Sequence, residues 1–356
     1  MVLSRYLIWT TSLTSTANVE VLLQSFDQTG LEDQSVDVVV SNGAINLTSC
    51  KESVFAEIHR MLKDDGKLQF ADMVDVSVDE GACCSVENSS CCDESEGDWA
   101  NCVAGTLRVE ELVEIIQKAG FKDVVCSGLN HYKTASTTQG ATFSATKISS
   151  KELRRAHWDG VFKTSDYSQV LWHQSSPKKS LDFIRSFAPK EASIIDAGCG
   201  ASLLVDALLE DGYENVTLLD ASQTSLDLVN ARIPNQSVRY VCDDVLNYKT
   251  DKKFDIWHDR AVFHFLTTKK ERDAYFEVLT NVLKENATAI ISTFRVDGPI
   301  ACAGLDVVQY DETKMLSSLP SGLRLLKSEE FTHVTPKNSE QKYIYFIMKK
   351  EGNETL

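Results

Sequence analysis

Five residues, Asp196-Ala197-Gly198-Cys199-Gly200, constrain this chain more than any other feature. They follow the apolar run Ser193-Ile194-Ile195 and lead into a helical pattern from Ser202 to Leu209, so a strand, a glycine turn and a helix are expected in immediate succession. Glycines let a backbone approach a ligand where a Cβ would collide, and the following helix aims its free N-terminal amides and the positive end of its dipole at the same place. A second strand, Asn215-Val216-Thr217-Leu218-Leu219, ends in Asp220. That carboxylate lies roughly 20 residues downstream of the turn, where ribose hydroxyls are taken in nucleotide-binding folds.

The turn also excludes some nucleotides. Leu203 and Leu204 stand where a dinucleotide fingerprint would place its third glycine, and no Gly-Lys-Ser/Thr follows for a triphosphate. Val238-Arg239-Tyr240-Val241-Cys242 reads as a third strand, closed by Asp243-Asp244-Val245, and Phe254-Asp255-Ile256-Trp257-His258 as a fourth. Strands alternating with helices predict an α/β domain with a doubly wound, mostly parallel sheet and helices on both faces. In these ordered motifs the chain resembles the class I S-adenosylmethionine-dependent methyltransferases, from about Ala156 to Lys350.

The resemblance implies a seven-stranded Rossmann-like sheet and S-adenosyl-L-methionine as cofactor. Asp196 to Gly200, Cys199 included, would form the cofactor turn, with Gly198 and Gly200 under the amino-acid part of the cofactor. Asp220 would bind the ribose, and Asp244 with Val245 would border the adenine, while Asp243 reads as a solvated acidic loop residue. Arg154, His157, Trp158, Asp159 and Trp172 precede the first core strand, where the family commonly places a helical cover. A tryptophan face beside a sulfonium gains about 0.5–2 kcal/mol of cation–π attraction, which makes Trp172 a cofactor-binding candidate; packing is the alternative for both Trp158 and Trp172.

The stretch His258-Asp259-Arg260-Ala261-Val262-Phe263-His264-Phe265-Leu266 follows the fourth strand at the carboxyl edge, where open α/β sheets hold ligands. It resembles a bacterial and invertebrate group of methyltransferases with the same His-Asp-Arg trio, related to enzymes that methylate protein lysines and small metabolites. His258, Asp259 and Arg260 are therefore the catalytic candidates, and the trio is expected to face the cleft. Asp259 would orient an amine or bind the cofactor's ammonium; Arg260 would hold a substrate carboxylate or pair with Asp259. Methyl transfer is an in-line displacement, so alignment provides much of the acceleration. His258, His264 and His173 enter as bases only if the acceptor arrives protonated, and for His264, on an apolar face, packing is the better reading.

At 356 residues the length suggests two domains, and 43% hydrophobic residues suffice for full cores. A formal charge of −16 argues against nucleic-acid binding, which draws on clustered Lys and Arg. No apolar run reaches the roughly 18 residues of a membrane span. The first nineteen residues carry Arg5, many Ser and Thr and no acidic residue, a faint likeness to a transit peptide, though a ragged terminus is the preferred reading. Ten cysteines without a secretory signal suggest a reducing, cytoplasmic setting.

The amino-terminal region reads as a second α/β pattern. Val36 to Ser41 reads as a buried strand, Lys51 to Leu62 as a helix, Lys67 to Val74 as a strand and Glu110 to Ala119 as a helix closed by Gly120, with strands near Val124-Val125 and Thr142 to Ala145. This order resembles the second half of a methyltransferase. Ser41-Asn42-Gly43-Ala44-Ile45-Asn46-Leu47 with Trp99-Ala100-Asn101-Cys102-Val103-Ala104-Gly105 resembles the arsenite methyltransferase group, from about Val19 to Lys147. Nothing before Val36 supplies a glycine turn or ribose acid, so this half is expected to lack its own cofactor motif. Gly43 stands where many arsenite enzymes have a thiol and Cys102 matches a place where they have one. Cys83-Cys84 and Cys91-Cys92 lie in a Ser-, Asp- and Glu-rich insertion, read either as a flexible thiol-rich loop or as soft-metal capture. No standard metal site is assigned.

The expected organisation is an incomplete methyltransferase-like half-domain over 1–147, a linker over 148–156 and a complete methyltransferase domain over 157–350. The leading function is methyl transfer to a small-molecule or protein side-chain acceptor; an arsenite or soft-metal handler and a noncatalytic binding module are the alternatives. The open edge at Val36 to Ser41 would be covered by the second domain or by a second copy, giving a homodimer through the first half.

Overall fold

The computed structural model of the protein describes residues 22–77, 105–233 and 237–352. The chain divides into two compact units, Met1–Ser150 and Lys151–Leu356. In the first unit β1 (Val36–Asn42) is followed by α1 (Lys51–Met61), β2 (Leu62–Asp75), α2 (Val109–Lys118), β3 (Phe121–Leu129) and β4 (Thr138–Lys147). These strands form a sheet of order β1-β2-β4-β3, with β1 parallel to β2 and the other neighbours antiparallel.

Phe55 and Ile58 of α1 and Ile116 of α2 pack with Phe70 and Phe143 of the sheet in a single core. Phe70 and Phe143 are register partners on β2 and β4 and stack with centroids 4.9 Å apart, the cross-strand contact that stabilises a sheet locally. The expectation that Val36 to Ser41 is a buried strand is corrected here. Val38 and Val40 are 55% and 72% exposed, while Val39 packs on the core. A continuous apolar run implies cover on both faces; here α1 and α2 share one core, and alternate residues of the edge strand point the other way.

The second unit opens with α3 (Ser150–Thr164) and α4 (Lys178–Phe187), then β5 (Ile194–Ala197), α5 (Leu204–Glu210), β6 (Val216–Asp220), α6 (Gln223–Arg232), β7 (Arg239–Cys242) and β8 (Phe254–Arg260). It continues through α7 (Lys269–Val282), β9 (Leu283–Phe294), the short β10 (Ala301–Cys302) and β11 (Leu305–Asp306), α8 (Glu312–Ser318), β12 (Leu323–Val334) and β13 (Glu340–Lys350). Most of the linker expected over 148–156 is therefore helix. Ile148 to Ala156 contains neither Gly nor Pro, and Lys151, Glu152, Leu153, Arg154, Arg155 and Ala156 are all good helix formers.

The seven-stranded sheet has the order β12-β13-β9-β8-β5-β6-β7. Its five strands from β9 to β7 pair in parallel, and β13 is antiparallel to both β9 and β12. Alternation along each strand feeds two cores. Ile195, Ala197 and Trp257 meet Tyr275, Phe276 and Leu279 of α7 on one face, and Ile194 and Ile256 meet α4, α5 and α6 on the other, the pattern of strands buried on both sides. The entry to α7 is fixed by a capping box in which Thr268 Oγ1 accepts from the Glu271 amide and Glu271 accepts from the Thr268 amide.

The first unit repeats the β8-β9-β13-β12 half of the second. Val36 pairs with Leu62 and, past an irregularity, Val38 with Lys67; Phe254 likewise pairs with Leu283 and Ile256 with Thr288. Each helix runs straight into the next strand, and each junction carries a left-handed residue, Asp65 or Asn286, with φ of 59°. Gly43 and Ala261, just past β1 and β8, have φ of 67° and 74° and lead into one-turn 3-10 helices.

Candidate cofactor and acceptor site

The carboxyl ends of β5, β6, β7 and β8 surround a cavity of about 450 Å³. Gly198 and Gly200 line it in the left-handed region, with φ of 70° and 54°. A Cβ on Gly198 would stand 1.9 Å from Val262 Cγ2, and one on Gly200 would stand 3.1 Å from Phe162 Cζ. Bare backbone is therefore required at both points, and the turn between β5 and α5 presents it to the cavity.

Asp220 closes β6 and lines the cavity. Its Oδ2 accepts the Gly200 amide and its Oδ1 the Ser222 amide, each at 2.8 Å. Burial raises its pKa to about 6, and the nearby Asp196 carboxylate pushes the same way. Each carboxylate oxygen keeps capacity for a further donor. Asp244 and Val245 line the cavity beyond β7. Asp244, 2% exposed, accepts from Arg154 Nε at 2.6 Å and from the Leu246 amide at 2.8 Å. Asp243, expected in a solvated loop, pairs with Lys151 and accepts the Asp244 amide.

The cover expected ahead of the first core strand is α3 and the segment after it. Asp159 accepts from Ser222 Oγ and the Thr224 amide, which ties α3 to the start of α6. Trp158 contacts Trp172, Phe162 and Phe265 edge-on or tilted, with centroids 5.2–6.4 Å apart. These rings form an aromatic wall lining the cavity. Sequence reading singled out Trp158 and Trp172, whereas Phe162, Tyr167, Ser180 and Cys302, which also line it, belong to no motif.

The trio at the end of β8 does not act as one unit. β8 continues through Arg260, so side-chain alternation puts His258 and Arg260 on the cavity and Asp259 on the opposite face. Asp259 is fully buried and accepts from the Val262 amide at 2.8 Å, the Phe263 amide at 3.1 Å and the Tyr275 hydroxyl at 2.5 Å. Burial lifts its pKa to about 7, against the pull of the Tyr275 hydrogen bond. It neither reaches an acceptor nor pairs with Arg260; it anchors the turn after β8, and the expectation that it faces the cleft is corrected.

His258 lies between Asp196 Oδ1, 2.6 Å from Nδ1, and Ser180 Oγ, 2.8 Å from Nε2, and Ser180 Oγ continues to the Tyr345 hydroxyl at 3.3 Å. Both ring nitrogens are engaged, so His258 holds Asp196 in place and leaves no free lone pair for an acceptor's proton. His264 is fully buried, stacks on Phe294 and accepts the Phe294 amide. Burial, then the Arg260 charge, lowers its pKa to about 3.

In the first unit Gly43 closes β1, while Cys83, Cys84, Cys91, Cys92 and Cys102 lie outside the described residues. Among the described residues no group of three or more His, Cys, Asp or Glu could hold a metal ion, and no helix is long and apolar enough to cross a membrane.

A methyltransferase domain model matches residues 194–286 and a second methyltransferase domain model matches residues 10–120. The chain is 27% identical over 162 residues to human arsenite methyltransferase, covering 46% of this chain and 37% of that protein. It is 24% identical over 174 residues to EEF1A lysine methyltransferase 2 of Danio rerio, covering 44% of this chain and 73% of that protein. The crystal structure of N-methyltransferase NodS from Bradyrhizobium japonicum in complex with S-adenosyl-L-homocysteine aligns at 12% identity and a TM-score of 0.43, over 55% of this chain and 100% of that one. The chain spans 24% to 37% of the length of the mammalian arsenite methyltransferases it matches. With one methyltransferase model on each unit, a seven-stranded mostly parallel sheet, and glycine turn and strand-end acids around one cavity, the chain belongs to the S-adenosylmethionine-dependent methyltransferases.

Proposed function

We propose that the second unit binds S-adenosylmethionine in this cavity and transfers its methyl group to a small-molecule or protein side-chain acceptor. The observation that carries the reading is the convergence of the bare Gly198 and Gly200 backbone with the Asp220 carboxylate on one cavity wall. Gly198 and Gly200 leave room for the amino-acid part of the cofactor, Asp220 accepts the ribose hydroxyls, and Asp244, with Val245 beside it, borders the adenine. The cofactor supplies a methyl group on a sulfonium, whose carbon–sulfur bond breaks towards sulfur as the acceptor's lone pair forms the new bond. Trp158 and Phe265 exclude water and set an electron-rich wall beside that cation.

No free base among the described residues of the cavity is assigned to the acceptor, so the acceleration rests on alignment, which is worth roughly 7–11 kcal/mol at its best. A reducing, cytoplasmic setting is the compartment that ten cysteines support. The test is incubation of the full chain with methyl-labelled cofactor and a fractionated lysate. Label appearing in a discrete product supports the enzyme; cofactor binding without label in any fraction would select the noncatalytic alternative.

A further inference from the structure

Arg260 is a half-buried cation on the cavity with no carboxylate in ion-pairing reach among the described residues. Its recorded contacts are a hydrogen bond donated to the Trp172 carbonyl and the face of Tyr343, 5.9 Å from the ring centroid. Neither neutralises it. Around it stand His173, His264 and His333, each held below its ordinary pKa by burial and then by the Arg260 charge. The same charge acts on the Cys302 thiol, which burial raises to about 11. None of these three histidines or the thiol offers the guanidinium a negative charge, and among the described residues His173 Nδ1 and His264 Nε2 are buried without a hydrogen-bond partner. A guanidinium removed from water without a counterion is costly, and it is the side chain that recognises carboxylate and phosphate in a planar, two-pronged geometry.

Its position separates it from the cofactor. Asp196, Asp220 and Asp244 lie at the ends of β5, β6 and β7, on one side of β8 in the sheet, whereas the Tyr343 ring under Arg260 is on β13, on the other side. The β10–β11 hairpin contributes Cys302 and Leu305 to the cavity, with Asp306 exposed at its rim.

We propose that Arg260 anchors the methyl acceptor, and that the acceptor is a small molecule carrying a carboxylate or phosphate group. This rests on the methyltransferase reading above and narrows it, because an exposed protein lysine presents no anion to a half-buried guanidinium. Anchored through that group, the acceptor turns its nucleophilic heteroatom towards the sulfonium; the new bond to the methyl carbon forms as the carbon–sulfur bond breaks, and any acceptor proton leaves to solvent.

The experiment uses the full chain with methyl-labelled S-adenosylmethionine, offered in one arm the dialysable solutes of a lysate and in the other its proteins. Cofactor binding by each variant is measured separately by titration calorimetry. The expected result is label in a small solute whose mass and fragmentation show a carboxylate or phosphate group. Arg260→Gln should keep cofactor affinity and slow transfer roughly 10- to 100-fold, the loss of one charge-assisted hydrogen bond, through the acceptor's KM more than through kcat. Arg260→Lys should recover part of it. Label confined to protein, a product with no carboxylate or phosphate group, equal rates in Arg260→Gln and parent, or loss of cofactor affinity in Arg260→Gln would overturn the proposal and leave the methyltransferase reading standing. Failure of the parent chain to bind the cofactor would overturn both.

Discussion

Gly198 is held by two constraints at once, a left-handed φ of 70° and a Val262 methyl where its Cβ would go. Gly198→Ala should therefore lower the melting temperature and abolish cofactor binding together, while adding Val262→Ala relieves the collision and leaves only the backbone strain, about 1–2 kcal/mol. Calorimetry and thermal unfolding of both variants check this; full binding by Gly198→Ala would contradict it. Asp220, raised to about 6 by burial, accepts ribose hydroxyls best when ionised. Binding then favours the deprotonated carboxylate, so cofactor affinity should weaken as pH falls through that value, by up to about tenfold per pH unit. Asp220→Asn should bind weakly with that dependence removed, and a flat parent profile would sink the assignment. Asp259→Ala strands the Val262 and Phe263 amides and the Tyr275 hydroxyl in the core, at about 1–3 kcal/mol each. The expected result is a large loss of stability measured by denaturant, whereas a variant as stable as the parent with slowed turnover would return Asp259 to the reacting groups.

The helix-to-strand junctions show how two elements solve one problem twice. α1 to β2 and α7 to β9 turn through Asp65 and Asn286 at the same left-handed φ, which short polar side chains tolerate and β-branched ones resist. Asn286→Val should cost about 1–2 kcal/mol and Asn286→Gly almost nothing, with the same ranking at Asp65, as thermal unfolding would read. Much of this element order was legible in the sequence, because Ser193 to Ile195, Asn215 to Leu219 and Val238 to Cys242 are short apolar strands ended by glycine or acid. The site was legible only in part. β8 runs two residues beyond the strand read from its apolar pattern, and those two residues decide that Arg260 faces the cavity and Asp259 does not. Phe162, Tyr167, Ser180 and Cys302 reach the cavity by tertiary packing alone, and local spacing carries no signal for that. β1 reads as buried because its valines are those of a sheet covered on both faces, although of its four valines Val36 and Val39 pack on the core while Val38 and Val40 are exposed.

At the scale of the whole molecule, the two units share one half of a fold and differ in the other. Both contain the pattern that ends in two antiparallel strands, and among the described residues only the second contains the strands that end in Asp196, Asp220 and Asp244. On the proposed reading the cofactor machinery is a single site belonging to the second unit. We expect the exposed valine edge of the first unit to affect solubility or self-association and not cofactor affinity; Val40→Lys should leave affinity unchanged in calorimetry while shifting any dimer towards monomer in sedimentation. A single site in the second unit is tested by equilibrium dialysis of the full chain against labelled S-adenosylmethionine, beside the Gly198→Ala variant. One cofactor bound per parent chain and none per variant is the predicted result. No binding by the parent, two cofactors per chain, or one retained by the variant would contradict it.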